Sequence, residues 1–86
     1  MIYPNPASGG TIDVLPPAYT GEKDVEILIF TPAFRKVLDI HRTVLGGTPV
    51  PLELKDAWGK PLANGLYYVF AIVDGKRSMA KLLVLR

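Results

Sequence analysis

The chain has 86 residues, a net charge of +2 and an apolar fraction of 49%, which confines it to one small domain with enough apolar residues for a core. Without a cysteine it has no disulfide, no thiolate metal site and no thiol nucleophile. Its basic and acidic residues are interspersed, so no Lys/Arg run tracks a phosphate backbone, and no apolar run approaches the ~20 residues that span a bilayer.

The start, Met1-Ile2-Tyr3-Pro4, has neither the basic segment nor the apolar stretch of a signal peptide. A Met set directly before a Pro/Gly-rich stretch reads as the start of an excised fragment. From there the apolar pattern has period two, and proline or glycine interrupts it too often for long helices. Residues 11–15 predict a first strand with Ile12 and Val14 on one face, ended by Pro16-Pro17. Residues 18–24, with Gly21 and three charges, predict a solvent loop. Residues 25–30 set Val25, Ile27 and Ile29 against Glu26, Leu28 and Phe30, the pattern of a central strand. Thr31-Pro32-Ala33 breaks this run and residues 36–42 resume it, with Val37 opposite Leu38 and Ile40, as a hairpin requires.

Gly46-Gly47-Thr48-Pro49 turns the chain again. Val50, Leu52 and Leu54 then alternate with Pro51, Glu53 and Lys55, and Pro51 puts this strand at an edge or at its own start, where no ladder donor is missed. A polar loop spans residues 56–64. Residues 66–73 form an unbroken aromatic and β-branched run, which predicts a strand covered on both faces. Asp74-Gly75 supplies the positive φ angles of a type I′ turn, so this run should pair antiparallel with residues 78–85. Short strands at about ten-residue spacing describe an all-β, immunoglobulin-like (fibronectin III-like) antiparallel sandwich of about six to seven strands over residues 1–86.

Groups that carry chemistry are sparse. His41 is the lone histidine, and no serine or paired carboxylates sit at a spacing that would engage it as a base, so it reads as an ordinary strand residue. Asp13, Asp24, Asp39, Asp56 and Asp74 form no calcium loop, and no glycine cluster follows a strand and opens a helix. The expectation is a domain that is not an enzyme and takes no cofactor and no metal. Trp58, alone in its polar loop, is expected to fold back and plug one end of the sandwich with its N–H on a backbone carbonyl. Tyr67 and Tyr68 point to opposite faces of one strand, which argues against a carbohydrate-stacking platform.

The last strand is apolar on both faces. If Ala80, Leu82 and Val84 fill the core, then Met79, Leu83 and Leu85 need a cover. Either the 18–24 loop or the N-terminal segment lies over them, or they dock on a partner domain. Met79, Lys81, Leu83, Leu85 and Arg86 are therefore the candidate protein-recognition residues. Asp56, Trp58, Gly59, Gly65, Asp74 and Gly75 are the candidate structural ones.

Several segments together resemble the immunoglobulin-like domain of flagellar hook-capping proteins and the similar C-terminal sorting domains of type IX secretion cargo. They are Tyr3-Pro4-Asn5-Pro6, Val25-Glu26-Ile27-Leu28-Ile29-Phe30-Thr31 with Phe34-Arg35-Lys36-Val37, the run from Leu54 to Tyr68 through Asp56-Ala57-Trp58-Gly59-Lys60-Pro61-Leu62-Ala63-Asn64-Gly65, and the closing Lys81-Leu82-Leu83-Val84-Leu85-Arg86. Two places depart from the commoner pattern. Phe34 stands where many relatives carry Gly in an Asp-x-x-Gly-Arg turn, and Leu54-Lys55-Asp56 replaces a Trp-Asp-Gly-like segment.

The resemblance implies a non-catalytic C-terminal module of a longer secreted or cell-surface protein, sorted or attached through a type IX-like system. Its partners would be a parent-chain domain or the secretion machinery, with neither nucleic acid nor membrane insertion involved. A structural assembly module acting by self-association is the rival, and a spacer or carbohydrate-binding accessory domain is a third reading that requires Trp58 and a tyrosine to share an exposed face.

Overall fold

The computed structural model describes residues 2–86, and the reading of Met1 lies outside them. Among the described residues seven strands form two sheets. β1 (Ile2–Tyr3), β2 (Thr11–Val14) and β5 (Val50–Glu53) make the smaller, in the order β1-β2-β5. β3 (Glu22–Phe30), β4 (Lys36–Leu45), β6 (Gly65–Val73) and β7 (Lys76–Val84) make the larger, in the order β4-β3-β6-β7. Every strand pair is antiparallel. This is the immunoglobulin-like sandwich that the period-two pattern predicts, with β3 and β6 at its centre.

The layer between the sheets is aliphatic because each strand turns its alternate residues inward. Ile12, Val14, Val50 and Leu52 face Val25, Ile27, Ile29, Val69, Ala71 and Val73, all buried. Tyr67 is the one aromatic residue buried among the described residues. Its hydroxyl donates to the carbonyl of Ala63 at 2.7 Å, the tyrosine corner that closes such sandwiches at the start of this strand. The Asp74-Gly75 turn is as expected, with φ of 51° and 75° and Val73 paired to Lys76 across it.

Three strand expectations need correction. Residues 22–24 are not loop but the first turn-proximal part of β3, paired with residues 43–45, because the β4 partner extends past residue 42 and offers them a ladder. Val37 is the extra residue of a bulge, since Phe30 faces Lys36 while Ile29 faces Leu38. The run 66–73 is covered on one face only: Tyr67, Val69, Ala71 and Val73 are buried, while Tyr68, Phe70 and Ile72 are half-buried and Leu66 is exposed.

The N-terminal segment lies along the edge of β7 and not over its apolar face. Ala7 donates to Leu83 C=O at 2.7 Å and accepts from Leu85 N–H at 2.9 Å, a short parallel bridge. Pro6 has no N–H to offer, and the Asn5 side chain takes over the pairing next to it. Its Nδ2 donates to Lys81 C=O at 2.7 Å and its Oδ1 accepts from Leu83 N–H at 3.1 Å. A side-chain amide thus continues what is otherwise a backbone ladder, and the edge of the terminal strand is sealed from residue 81 to residue 85.

Gly46 is needed for room. A Cβ placed there would lie 1.9 Å from the carbonyl oxygen of Tyr19, whose own hydroxyl donates to Val44 C=O at 2.6 Å. Gly46→Ala should therefore cost about 2 kcal/mol or more, while Gly9→Ala, which meets nothing within 4 Å, should change stability by less than about 0.5 kcal/mol. Asn5→Ala, which strips two hydrogen bonds from the β7 edge, should cost about 1–2 kcal/mol. Urea unfolding followed by far-UV circular dichroism measures all three.

Candidate interaction surface

Because burial of one face of a strand fixes what the other presents, the inward packing of β3, β6 and β7 sends a second set of apolar side chains outward. In register, Phe30 lies beside Tyr68 and Tyr68 beside Lys81, Leu28 beside Phe70 and Phe70 beside Met79, and Leu66 beside Leu83. Phe30 meets Phe70 edge to face at 5.6 Å between ring centroids. Phe34 stacks on Tyr68 at 5.8 Å with the rings 13° apart. The result is a continuous aromatic and aliphatic surface on the solvent side of the larger sheet, reaching the terminal strand through Met79, which is 52% exposed.

Phe34 is the most informative residue of this surface. The turns joining β3 to β4 and following β5 share one bonding pattern. In the first, Thr31 N–H donates to Arg35 C=O, Phe34 N–H to Thr31 C=O, and Arg35 N–H to Thr31 Oγ1. In the second, Asp56 N–H donates to Lys60 C=O, Gly59 N–H to Asp56 C=O, and Lys60 N–H to Asp56 Oδ1. Such three-residue loops place their last residue in the left-handed region, where glycine is normal. Gly59 is there with φ of 79°, and Phe34 with φ of 60°. A bulky residue in this conformation costs roughly 1–2 kcal/mol, and Phe34 is 68% exposed. Contacts with Phe30 and Tyr68 offset part of that cost.

Phe34, Phe30, Phe70, Leu28, Ile72 and Arg77 line a shallow depression of about 270 Å³ on this face. That is just below the volume range of small-ligand pockets and matches a single inserted side chain better than a free ligand. Neither Arg77 nor the ammonium of Lys81 has an ion-pair partner among the described residues. The apolar floor therefore has a cationic rim on its β7 side. A larger cleft of about 610 Å³ opens between the free edges of β4 and β5, with Leu38, Ile40, Arg42 and Glu53 among its walls. Its lining mixes apolar and charged side chains.

The candidate recognition residues divide into two groups. Met79, Lys81 and Leu83 lie in the outward register of β7 and join the apolar face. Leu85 is half exposed beyond the strand, its N–H held by Ala7. Arg86 is pinned: its N–H donates to Asn64 Oδ1 at 3.0 Å, its C=O accepts from Asn64 Nδ2 at 3.2 Å, and its guanidinium reaches Leu54 C=O at 3.4 Å. Of the structural candidates, Asp56, Gly59, Asp74 and Gly75 sit in turns and Gly65 opens β6, and all but Asp56 have positive φ.

Trp58 does not plug the sandwich; it is 86% exposed at the tip of its turn. Asp56 Oδ1 accepts from the N–H groups of both Trp58 and Lys60, and this holds the tip away from the core. The plug consists of Leu54 and Leu62, both buried, with Leu62 N–H on Leu54 C=O at 2.9 Å. No ring contact joins Trp58 to a tyrosine among the described residues. The pairing at Phe34, Tyr68 and Phe70 escaped the sequence reading because it links residues far apart in the chain; the only local sign was a phenylalanine at a glycine position. Trp58 emission should accordingly peak near that of free indole in water and be quenched by acrylamide at the rate of a model peptide. Trp58→Ala should alter stability by less than about 0.5 kcal/mol in thermal denaturation.

Neither a protein-family model nor a curated protein matches the sequence. Among solved structures the fold is similar to part of dimeric latent PorU from Porphyromonas gingivalis, with a TM-score of 0.74 and 20% identity. The similarity covers 99% of this chain and 9% of the PorU chain, so the chain spans about one-tenth of that protein's length. At this identity the likeness establishes the architecture, an immunoglobulin-like sandwich, which matches one domain-sized stretch of a much longer chain.

Proposed function

We propose that this domain is a non-catalytic attachment module of a secreted or cell-surface protein, docked through the outer face of β3, β6 and β7 onto another protein, namely the sorting machinery of a type IX-like secretion system. The observation that carries the reading is the apolar outer face itself. Its large side chains are solvent-facing in one contiguous patch, they run onto the terminal strand at Met79 and Leu83, and one of them is held in a strained conformation. Contiguous exposed apolar surface rimmed by charge marks interaction sites in soluble proteins. The motif resemblance to sorting domains and the shared fold with a short stretch of PorU agree with it. Self-association through the same face is the rival reading.

Truncation is a poor test, because residues 81–86 include the fully buried Leu82 and Val84 and their loss would empty the core. Point changes on the outer face avoid this. Residues 2–86 fused to an exported fluorescent reporter should reach the surface of a bacterium carrying a type IX system. Met79→Asp with Phe34→Asn should cut delivery at least tenfold while circular dichroism and melting temperature stay close to those of the parent. Delivery that persists in the double variant, or never occurs with the parent domain, sinks the sorting role. A parent domain that is dimeric in light scattering and becomes monomeric in the double variant would support the assembly reading instead.

A further inference from the structure

At its β4 end the outer face changes from apolar to ionisable. Glu26 of β3 lies directly across from His41 of β4, and Asp39 precedes His41 by two residues on the same strand face. His41 Nε2 is 3.4 Å from Glu26 Oε2 and 3.5 Å from Asp39 Oδ1, and all three donor atoms lie within 4.8 Å of one another. Lys36 Nζ sits 3.2 Å from Asp39 Oδ2, the oxygen on the other side of that carboxylate, so Oδ1 remains turned toward the imidazole. Zinc bonds to nitrogen and oxygen of about 2.1 Å place neighbouring ligand atoms of a tetrahedron about 3.4 Å apart. The two imidazole-to-carboxylate separations already have that length, and a small rotation of the carboxylates closes the third.

We propose that Glu26, Asp39 and His41 form a site for a divalent transition-metal cation of the zinc type, with one imidazole nitrogen, two carboxylate oxygens and a water in the fourth position. The donor set selects the metal class: imidazole favours zinc, copper or nickel, whereas calcium and magnesium take oxygen alone. The strand ladder orders two ligands on β4 and one on β3 before any metal arrives. Binding would staple β4, an edge strand paired only with β3, to the centre of the sheet. None of this rests on the docking role proposed above.

Isothermal titration of the untagged 86-residue chain with zinc chloride near neutral pH tests the site, with His41 ring resonances followed by NMR. One equivalent should bind with a Kd below about 100 μM, and saturating zinc should raise the melting temperature. His41→Gln and Glu26→Gln, both changes to solvent-reached side chains, should each weaken binding at least tenfold and abolish the thermal shift, with circular dichroism confirming the fold. Glu53→Gln, outside the cluster, should leave both unchanged. No saturable uptake up to about 1 mM, or uptake that loses less than tenfold in either cluster variant, overturns the assignment and leaves His41 as an exposed side chain beside two carboxylates.

Discussion

The inward face of the larger sheet, where Val25, Ile27 and Ile29 lie beside Val69, Ala71 and Val73, governs the molecule, because a strand has only two faces. Once those residues are committed inward, Leu28, Phe30, Tyr68 and Phe70 have no alternative to the outer face, and a one-residue slip would exchange the two sets. Apart from the Tyr67 hydroxyl, no buried side chain among the described residues carries a polar group that could set the register by hydrogen bonding. Register is set instead by aliphatic fit, by the Asp74-Gly75 turn and by the Tyr67 hydroxyl at the opposite end of β6. The outer surface is therefore a by-product of core packing in position, though not in composition. Nothing in the packing demands that it be aromatic.

Much of this was legible in the sequence. Alternation marked the inward residues of β2, β3 and β5 because period two is a local signal, and Asp74-Gly75 marked the last hairpin because its positive φ angles are a local demand. The readings that failed needed information from outside their own segment. The run from Leu66 to Val73 looked two-sided because a one-sided strand with an aromatic solvent face has the same composition as a buried one. Trp58 looked like a plug because a large ring usually seeks the interior, but Leu54 and Leu62 had already filled the space and Asp56 held the tip outward. The clustering of Glu26, Asp39 and His41 depends on the β3 to β4 register, which a bulge at Val37 shifts by one.

The paired turns show how a substitution can be tolerated for something other than stability. Asp56 and Gly59 meet the local demands of the turn with a carboxylate acceptor and a residue free to adopt positive φ. Thr31 meets the first demand with a hydroxyl, but Phe34 meets the second only under strain. Pro32 helps, since its fixed φ suits the second position of a type I turn and lowers the entropy of the open loop. The backbone thus tolerates a ring at a position where its side chain projects beside Tyr68, extending the apolar face beyond the width that the strands alone would give it.

The seal on β7 also bears on how the domain would respond to tension. Ala7 and Val84 run parallel, and the four hydrogen bonds from Asn5 and Ala7 to residues 81–85 lie side by side across that pair. A pull that draws residue 2 and residue 86 apart loads all four in shear at the same moment, so that none can open without the others. The same bonds peeled from one end would give way singly. A chain whose two termini are clasped in this way resists stretching at its ends first, before the force reaches the aliphatic layer behind them.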